Sequence, residues 1–287
     1  MKHQFNKYNY SLEQLSSRVE SILKEEKKSL DKVKALKTIL NIIDLTTLSG
    51  DDTTQRVKDL CQKGIAYKDV HLDVPQVAAI CVYPVFVPVV KESLKGTGIK
   101  TASVAGAFPS GQSPLEIRVA EVKWAAERGA DDIDMVISRG KMLEGDHNFV
   151  ENEVREIKAA CGKAHLKVIL ETGELKTVEN IRKACELSIN GGGDFLKTST
   201  GKVQPAATPE AFLIMIDTVK EFYEATGGKK IGLKPAGGIS TVEDALIYYM
   251  LVKNILGDEW LNNELFRIGA SRLADNVYNE LIDLITV

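Results

Sequence analysis

The chain has 287 residues, 44% of them hydrophobic and 27% charged, with a formal net charge of −3. That composition supports a large buried core and excludes disordered and fibrous classes. Without a basic stripe or interleaved basic and aromatic residues, it also lacks the electrostatic footprint of a nucleic-acid binder.

The N-terminal stretch Met1 to Tyr10 has no signal-peptide apolar core, and the most apolar run, Val82 to Val90, is broken by Pro84 and Pro88 and is too short for a bilayer. No membrane partner is expected, and a cytoplasmic location is. Cys61, Cys81, Cys161 and Cys185 show neither a disulfide-dense pattern nor C-x-x-C metal spacing, which fits a reducing compartment. A capping box, Ser11 to Gln14, opens a helix with an apolar stripe of Leu12, Leu15, Val19, Ile22 and Leu23. Residues 1–38 therefore read as an N-terminal helical extension packed on the rest. The stripe is expected to cap a barrel floor, with a homodimer contact as its alternative use.

Over residues 39–287, short apolar runs alternate with segments of helical period, the mark of successive βαβ units. The runs are Leu40 to Thr46, Ala78 to Tyr83, Thr101 to Gly106, Asp132 to Ile137, Leu166 to Glu171, Phe195 to Ser199, Ile231 to Lys234, and Phe266 to Gly269. Eight such strands predict an α/β protein with a single (β/α)8 TIM barrel, whereas an open doubly wound sheet more often stops at five or six. Three helix boundaries are readable. Ser113 to Glu116 forms a capping box with Pro114 at the first helical position, its helix running to Gly129. Thr208-Pro209 opens a helix closing at Gly227, and Ser240 to Glu243 opens one closing at Gly257.

Alternation along each strand sorts side chains into those facing the helices and those facing the barrel interior. Ile133, Met135 and Ile137 share one face and leave Asp134 on the other. Leu166, Val168 and Leu170 likewise leave Lys167 and Glu171 inside. Lys197, Lys234, Asp44 and Cys81 fall inward by the same rule. Charges inside a barrel are costly unless paired, so these residues must form a network. A lattice that only fixes strand register is the bland alternative. Catalysis is favoured because the charges lie late in their strands, and active sites of this fold sit at the C-terminal strand ends.

An ordinary lysine is neutral in only about 0.04% of molecules at pH 7. A second ammonium nearby, with partial desolvation, lowers the pKa and makes the amine a nucleophile. Lys197 and Lys234, on adjacent strands, suit an imine-forming pair. At the anion end, Gly237-Gly238-Ile239-Ser240 follows the seventh strand and Gly269-Ala270-Ser271 the eighth, each leading into a helix N-terminus. That is the recurrent phosphate site of this fold, although glycines also serve tight turns.

The segments "IDLTTL", "AAICVYP", "LKVILETGEL", "DFLKTSTGK", "GLKPAGGIS" and "LFRIGAS" resemble class I deoxyribose-phosphate aldolase, over about Leu40 to Leu273. The resemblance implies reversible cleavage of 2-deoxy-D-ribose 5-phosphate to acetaldehyde and D-glyceraldehyde 3-phosphate, with no metal and no organic cofactor. It makes Lys197 the Schiff-base lysine, Lys234 its electrostatic partner, and Asp134 a proton carrier through water with Lys167 in the relay. Asp44 would orient hydroxyls or brace a lysine, and Cys81 would line the pocket. Gly201 and Lys202 would complete the phosphate cradle formed with Gly237, Gly238, Ser240, Gly269, Ser271 and Arg272, and Thr200 would bind substrate. Ser240 stands where many members have arginine, and Arg272 where many have serine. Some members carry a mobile tail ending in tyrosine; with "LIDLITV" here, Asp134 and water are expected to suffice. A metal-dependent aldolase is disfavoured because none of His3, His71, His147 and His165 pairs with another at ligand spacing.

Overall fold

All eight predicted strands form in the computed structural model, which describes residues 2–286. They are β1 (Ile43–Thr46), β2 (Ala79–Val82), β3 (Lys100–Ala105), β4 (Asp132–Val136), β5 (His165–Ile169), β6 (Phe195–Lys197), β7 (Gly232–Lys234) and β8 (Ile268–Ala270). Every pairing is parallel in the order β7-β6-β5-β4-β3-β2-β1-β8, and bridges from Leu233 to Phe266 and from Ala236 to Gly269 close the remaining seam into a barrel.

Two helices precede the barrel, α1 (Leu12–Glu26) and α2 (Lys32–Asn41). Those connecting its first strands are α3 (Thr54–Ala66), α4 (Val87–Ser93) and α5 (Leu115–Glu127). After β4 come α6 (Arg139–Leu143) and α7 (His147–Ala160), and after β5 come α8 (Thr172–Leu175) and α9 (Val178–Asn190). The last three strands are followed by α10 (Pro209–Ala225), α11 (Val242–Leu256) and α12 (Leu273–Ile285). The main core fills the space between strands and helices. Within the barrel an apolar group is formed by Ala79, Cys81, Ala102 and Val104 of β2 and β3, with Leu48, Tyr83 and Phe108 packed against it, and Val136, Ile169 and Phe195 share the inward face of their strands with the charged residues. The rest of the interior is available to charged side chains.

The structure corrects several boundaries. Leu40 belongs to α2, not to the first strand, because Leu36, Ile39 and Leu40 are buried at helical spacing behind an Asp31 cap. A division at residues 38 and 39 thus falls inside α2, which packs against α11 and α12. Helix α1 does not cap the floor. It lies along α10 and α11, with Ser16 Oγ donating to Glu210 in the first turn of α10 and Lys253, near the end of α11, paired with Glu26 at 2.9 Å. The reason is visible in α10 and α11 themselves. Ala211 to Ile216 and Tyr248 to Val252 are consecutively buried, so these helices need cover on both faces. Leu15 and Val19 of α1 supply that cover, while Leu12 remains exposed.

The Ser11–Gln14 box and the Thr208 cap form as read. Helix α5 instead starts after Pro114 with no side-chain cap, and the box opening α11 is Thr241 with Asp244, one residue later than expected. Strands β5 and β6 stop at Ile169 and Lys197, which places Glu171 and Ser199 in loops rather than on the barrel wall.

Candidate active site

Strand alternation brings Asp44, Asp132, Asp134, Lys167, Lys197 and Lys234 into the barrel interior, joined by Arg267 just before β8, and none is more than 3% exposed. Lys197 stands opposite Lys234 in the β6–β7 register, and Lys167 opposite Asp134 in β4–β5. Asp134 Oδ2 accepts from Lys197 Nζ at 2.7 Å and from Lys234 Nζ at 2.6 Å. Lys234 Nζ also donates to Asp44 Oδ2 at 2.5 Å. Lys167 Nζ lies 2.6 Å from Asp132 Oδ2 and 3.6 Å from Asp134 Oδ1, so its nearest carboxylate is Asp132. Arg267 Nη1 donates to Asp44 Oδ1 at 2.7 Å and to Asp132 Oδ2 at 3.1 Å.

Asp132 and Arg267 were missed by the sequence reading, although both carried a signal. Asp132 has the parity of Asp134, and Arg267 sits between Phe266 and Ile268 as Lys197 follows Leu196.

The electrostatics separate the two lysines. Burial, reinforced by the Lys234 charge, holds Lys197 below the ordinary lysine value against the pull of Asp134. Lys234 is equally buried, but Asp134 and Asp44 together outweigh desolvation and hold it above that value. Burial alone would raise Asp134; the ammoniums of Lys197, Lys234 and Lys167 reverse this and keep it ionised. The arrangement sets an amine shifted toward its neutral form beside a lysine that stays charged.

Lys197 lines a cleft of about 490 Å³ at the C-terminal ends of the strands. Thr200, Gly201, Lys202, Gly237, Gly238, Ser240, Gly269, Ser271 and Arg272 all line it, as do Thr46 at the end of β1 and Thr47 to Ser49 of the loop that follows, which the sequence reading did not single out. Asp44, Cys81, Asp134, Lys167 and Lys234 lie beneath and form no part of its lining. Burial pushes the Cys81 thiol up to about 11, which argues against a thiolate role. A larger hollow, about 780 Å³, opens at the opposite end of the barrel near Lys91, Lys100 and His165. Its Lys91 and Lys100 are already paired with Asp131 and Glu264, and burial pushes the thiol of its Cys161 up to about 12.

The cleft loops are held against one another. Gly237 has φ 85°, and a Cβ there would come within 2.7 Å of Ala206 Cβ and 3.0 Å of Gly201 Cα, so the β6 and β7 loops meet nearly backbone to backbone. Glu171, left-handed at φ 55°, accepts from the Thr200 hydroxyl at 2.5 Å and the Thr200 amide at 3.2 Å, and pairs with Arg139 at 3.3 Å. Lys202 Nζ donates to the Leu48 carbonyl at 2.5 Å. The Ser240 amide donates to Asp244, so α11 carries its own anion at its N-terminus. Arg272 is exposed and makes no side-chain hydrogen bond among the described residues.

Residues 38–259 match the family model for the DeoC/LacD family aldolase. The chain belongs to the DeoC/LacD aldolase family. It is similar to the deoxyribose-phosphate aldolase of Homo sapiens, 44% identical over 257 residues that cover 86% of this chain and 80% of that one. The Mus musculus deoxyribose-phosphate aldolase is 43% identical with the same coverage. Among solved structures, the deoxyribose phosphate aldolase of Aeropyrum pernix, described as tetrameric, superposes with a TM-score of 0.68 at 25% identity, covering 88% of this chain and 98% of that one. As a DeoC/LacD aldolase, the protein is a carbon–carbon lyase. Among the described residues, no helix is long and apolar enough to cross a membrane.

Proposed function

We propose that this aldolase works through an imine on Lys197 and reversibly cleaves 2-deoxy-D-ribose 5-phosphate to acetaldehyde and D-glyceraldehyde 3-phosphate. The observation that carries the reading is the placement of Lys197, at the base of a glycine-lined cleft and sharing one Asp134 oxygen with Lys234.

The neutral Lys197 amine adds to the C1 carbonyl, and the carbinolamine loses water to give an iminium. Removal of the C3 hydroxyl proton then breaks the C2–C3 bond. Its electron pair flows to the iminium nitrogen, leaving an enamine as glyceraldehyde 3-phosphate departs. Protonation at C2 and hydrolysis release acetaldehyde and restore the lysine. Asp134, ionised and bonded to both lysines, is the group to exchange protons with a water in the cleft, and Lys167 stands next to it in that exchange. The phosphate would lie between the loops after β6, β7 and β8, against Gly238, Ser271, Lys202 and Arg272, where backbone amides and the uncapped N-terminus of α12 favour an anion. The four buried free cysteines suit a cytosolic setting.

Borohydride added with acetaldehyde or the deoxysugar phosphate should attach a reduced adduct to Lys197, located by peptide mapping. Absence of an adduct, or modification confined to Lys234, overturns the assignment. Activity should be unchanged by EDTA, because the carboxylates of the interior are already engaged by ammonium and guanidinium groups. Loss in EDTA with rescue by zinc would contradict the imine route.

A further inference from the structure

Arg267 has no part in the mechanism above, yet it is fully buried beneath the two lysines. Its Nε donates to the Asn263 carbonyl, and its Nη1 bridges Asp44 and Asp132. Those are the carboxylates that hold Lys234 and Lys167. A buried guanidinium is expensive, and ion pairs that serve only packing are often replaceable by apolar side chains without loss. Formal charge suggests what it supplies. Inside the barrel Lys167, Lys197, Lys234 and Arg267 pair with Asp44, Asp132 and Asp134, an excess of one positive charge; Glu264, which also faces Arg267, is exposed and balanced by its own partner Lys100. Losing one proton makes the interior neutral. Lys197 is the cation open to the cleft and the one that must lose a proton to attack. Without Arg267, three lysines and three carboxylates would already balance, and Lys197 would keep its proton.

We propose that Arg267 is a positioning residue whose permanent charge supplies this excess, so that Lys197 sheds its proton while the rest of the interior keeps its ionisation. The inference rests on the imine reading. The groups facing Lys197 are Asp134 from β4, Lys234 from β7 and Cys81 from β2. Those facing Arg267 are Asp44 from β1, Asp132 from β4 and Glu264 from its own loop. His165 Nδ1 approaches Asp132 Oδ1 at 3.4 Å from the opposite end of the barrel.

The test is the rate of borohydride trapping at Lys197 with acetaldehyde, followed from pH 6 to 10 and repeated in a His165→Gln background to remove that imidazole from the comparison. Arg267→Met should raise the midpoint by about one pH unit and slow trapping at pH 7 about tenfold. Arg267→Lys, which keeps the charge, should stay near the wild-type midpoint. Asp132→Asn should move it downward, and Arg267→Met with Asp132→Asn should return it close to wild type, since the charge count is restored. An unmoved or lowered midpoint in Arg267→Met overturns the proposal. Should that variant fail to fold, an unmoved or raised midpoint in Asp132→Asn overturns it equally. A wild-type enzyme that cannot be trapped removes the imine reading and this inference with it, whereas trapping with unmoved midpoints removes this inference alone.

Discussion

Lys197 and Lys234 donate to the same oxygen, Oδ2 of Asp134, at 2.7 and 2.6 Å. Two ammonium groups on one acceptor repel each other, and the contest is uneven because Lys234 has a second carboxylate, Asp44, at 2.5 Å. Lys234 therefore keeps its proton, and Lys197, with Asp134 alone, is the one driven toward the neutral amine.

Replacing Lys234 with leucine removes the repulsion that helps to neutralise Lys197. The Lys197 pKa should rise, so imine trapping slows at neutral pH and recovers as the pH is raised, with a midpoint up by one or more units at about 1.36 kcal/mol each. Lys234→Arg keeps the charge and should retain more activity, although a planar fork fits the ammonium's place poorly. Lys197→Arg should show no recovery at any pH. A pH profile unaltered in Lys234→Leu would exclude charge coupling between the two.

Arg272 lines the cleft beside Ser271 at the start of α12, with no other side-chain partner to hold it among the described residues. Truncation to alanine should weaken a phosphorylated substrate selectively. A charge-assisted hydrogen bond is worth about 1.5 to 3 kcal/mol, so a tenfold or larger rise in KM is expected for the phosphorylated substrate and little change for its unphosphorylated analogue. Equal effects on both would show that the guanidinium does not meet the phosphate.

Much of this site was legible because strand alternation is rigid. Once Leu196 and Leu233 were assigned outward, Lys197 and Lys234 had to point in, and the register places them opposite each other. Glu171 was misread by the same rule. Its strand ends two residues earlier, at Ile169, and its left-handed backbone turns the carboxylate onto Thr200 instead of into the barrel. The partner choice of Lys167 was beyond the pattern, because it depends on Arg267 and Asp132 meeting from strands far apart in sequence. The placement of α1 likewise depends on a second apolar face of α10 and α11, which a single stripe on α1 does not disclose.

Gly269 belongs to the wall beside Lys234. A Cβ at this position would stand 2.9 Å from Ala236 Cβ and 3.2 Å from Lys234 Cε. Gly269→Ala should therefore displace Lys234 or the backbone of Ala236, at a cost of about 1 to 3 kcal/mol for overpacking. Urea unfolding should register that loss, and kcat should fall because the Lys234 ammonium leaves its place between Asp44 and Asp134. Full activity in this variant would mean that the wall yields without moving the lysine.

The buried carboxylates also fix how the protein responds to acid. Burial alone would raise Asp132, but Lys167, His165 and Arg267 outweigh it and hold the group well below its ordinary value; Asp44 and Asp134 are lowered by the same kind of opposition. A carboxylate with a depressed folded pKa binds fewer protons folded than unfolded. Its stabilising contribution is thus complete above about pH 4 and is lost as the pH falls toward the folded value, at about 1.36 kcal/mol per pH unit for each group. Asp132→Asn deletes one such group. Between pH 4 and pH 2.5 the urea-derived stability of this variant should fall less steeply than wild type by about 1 kcal/mol per pH unit, the slope difference approaching one proton at the acid end. An identical slope in the two proteins would mean that Lys167 and Arg267 do not hold Asp132 ionised in the folded state.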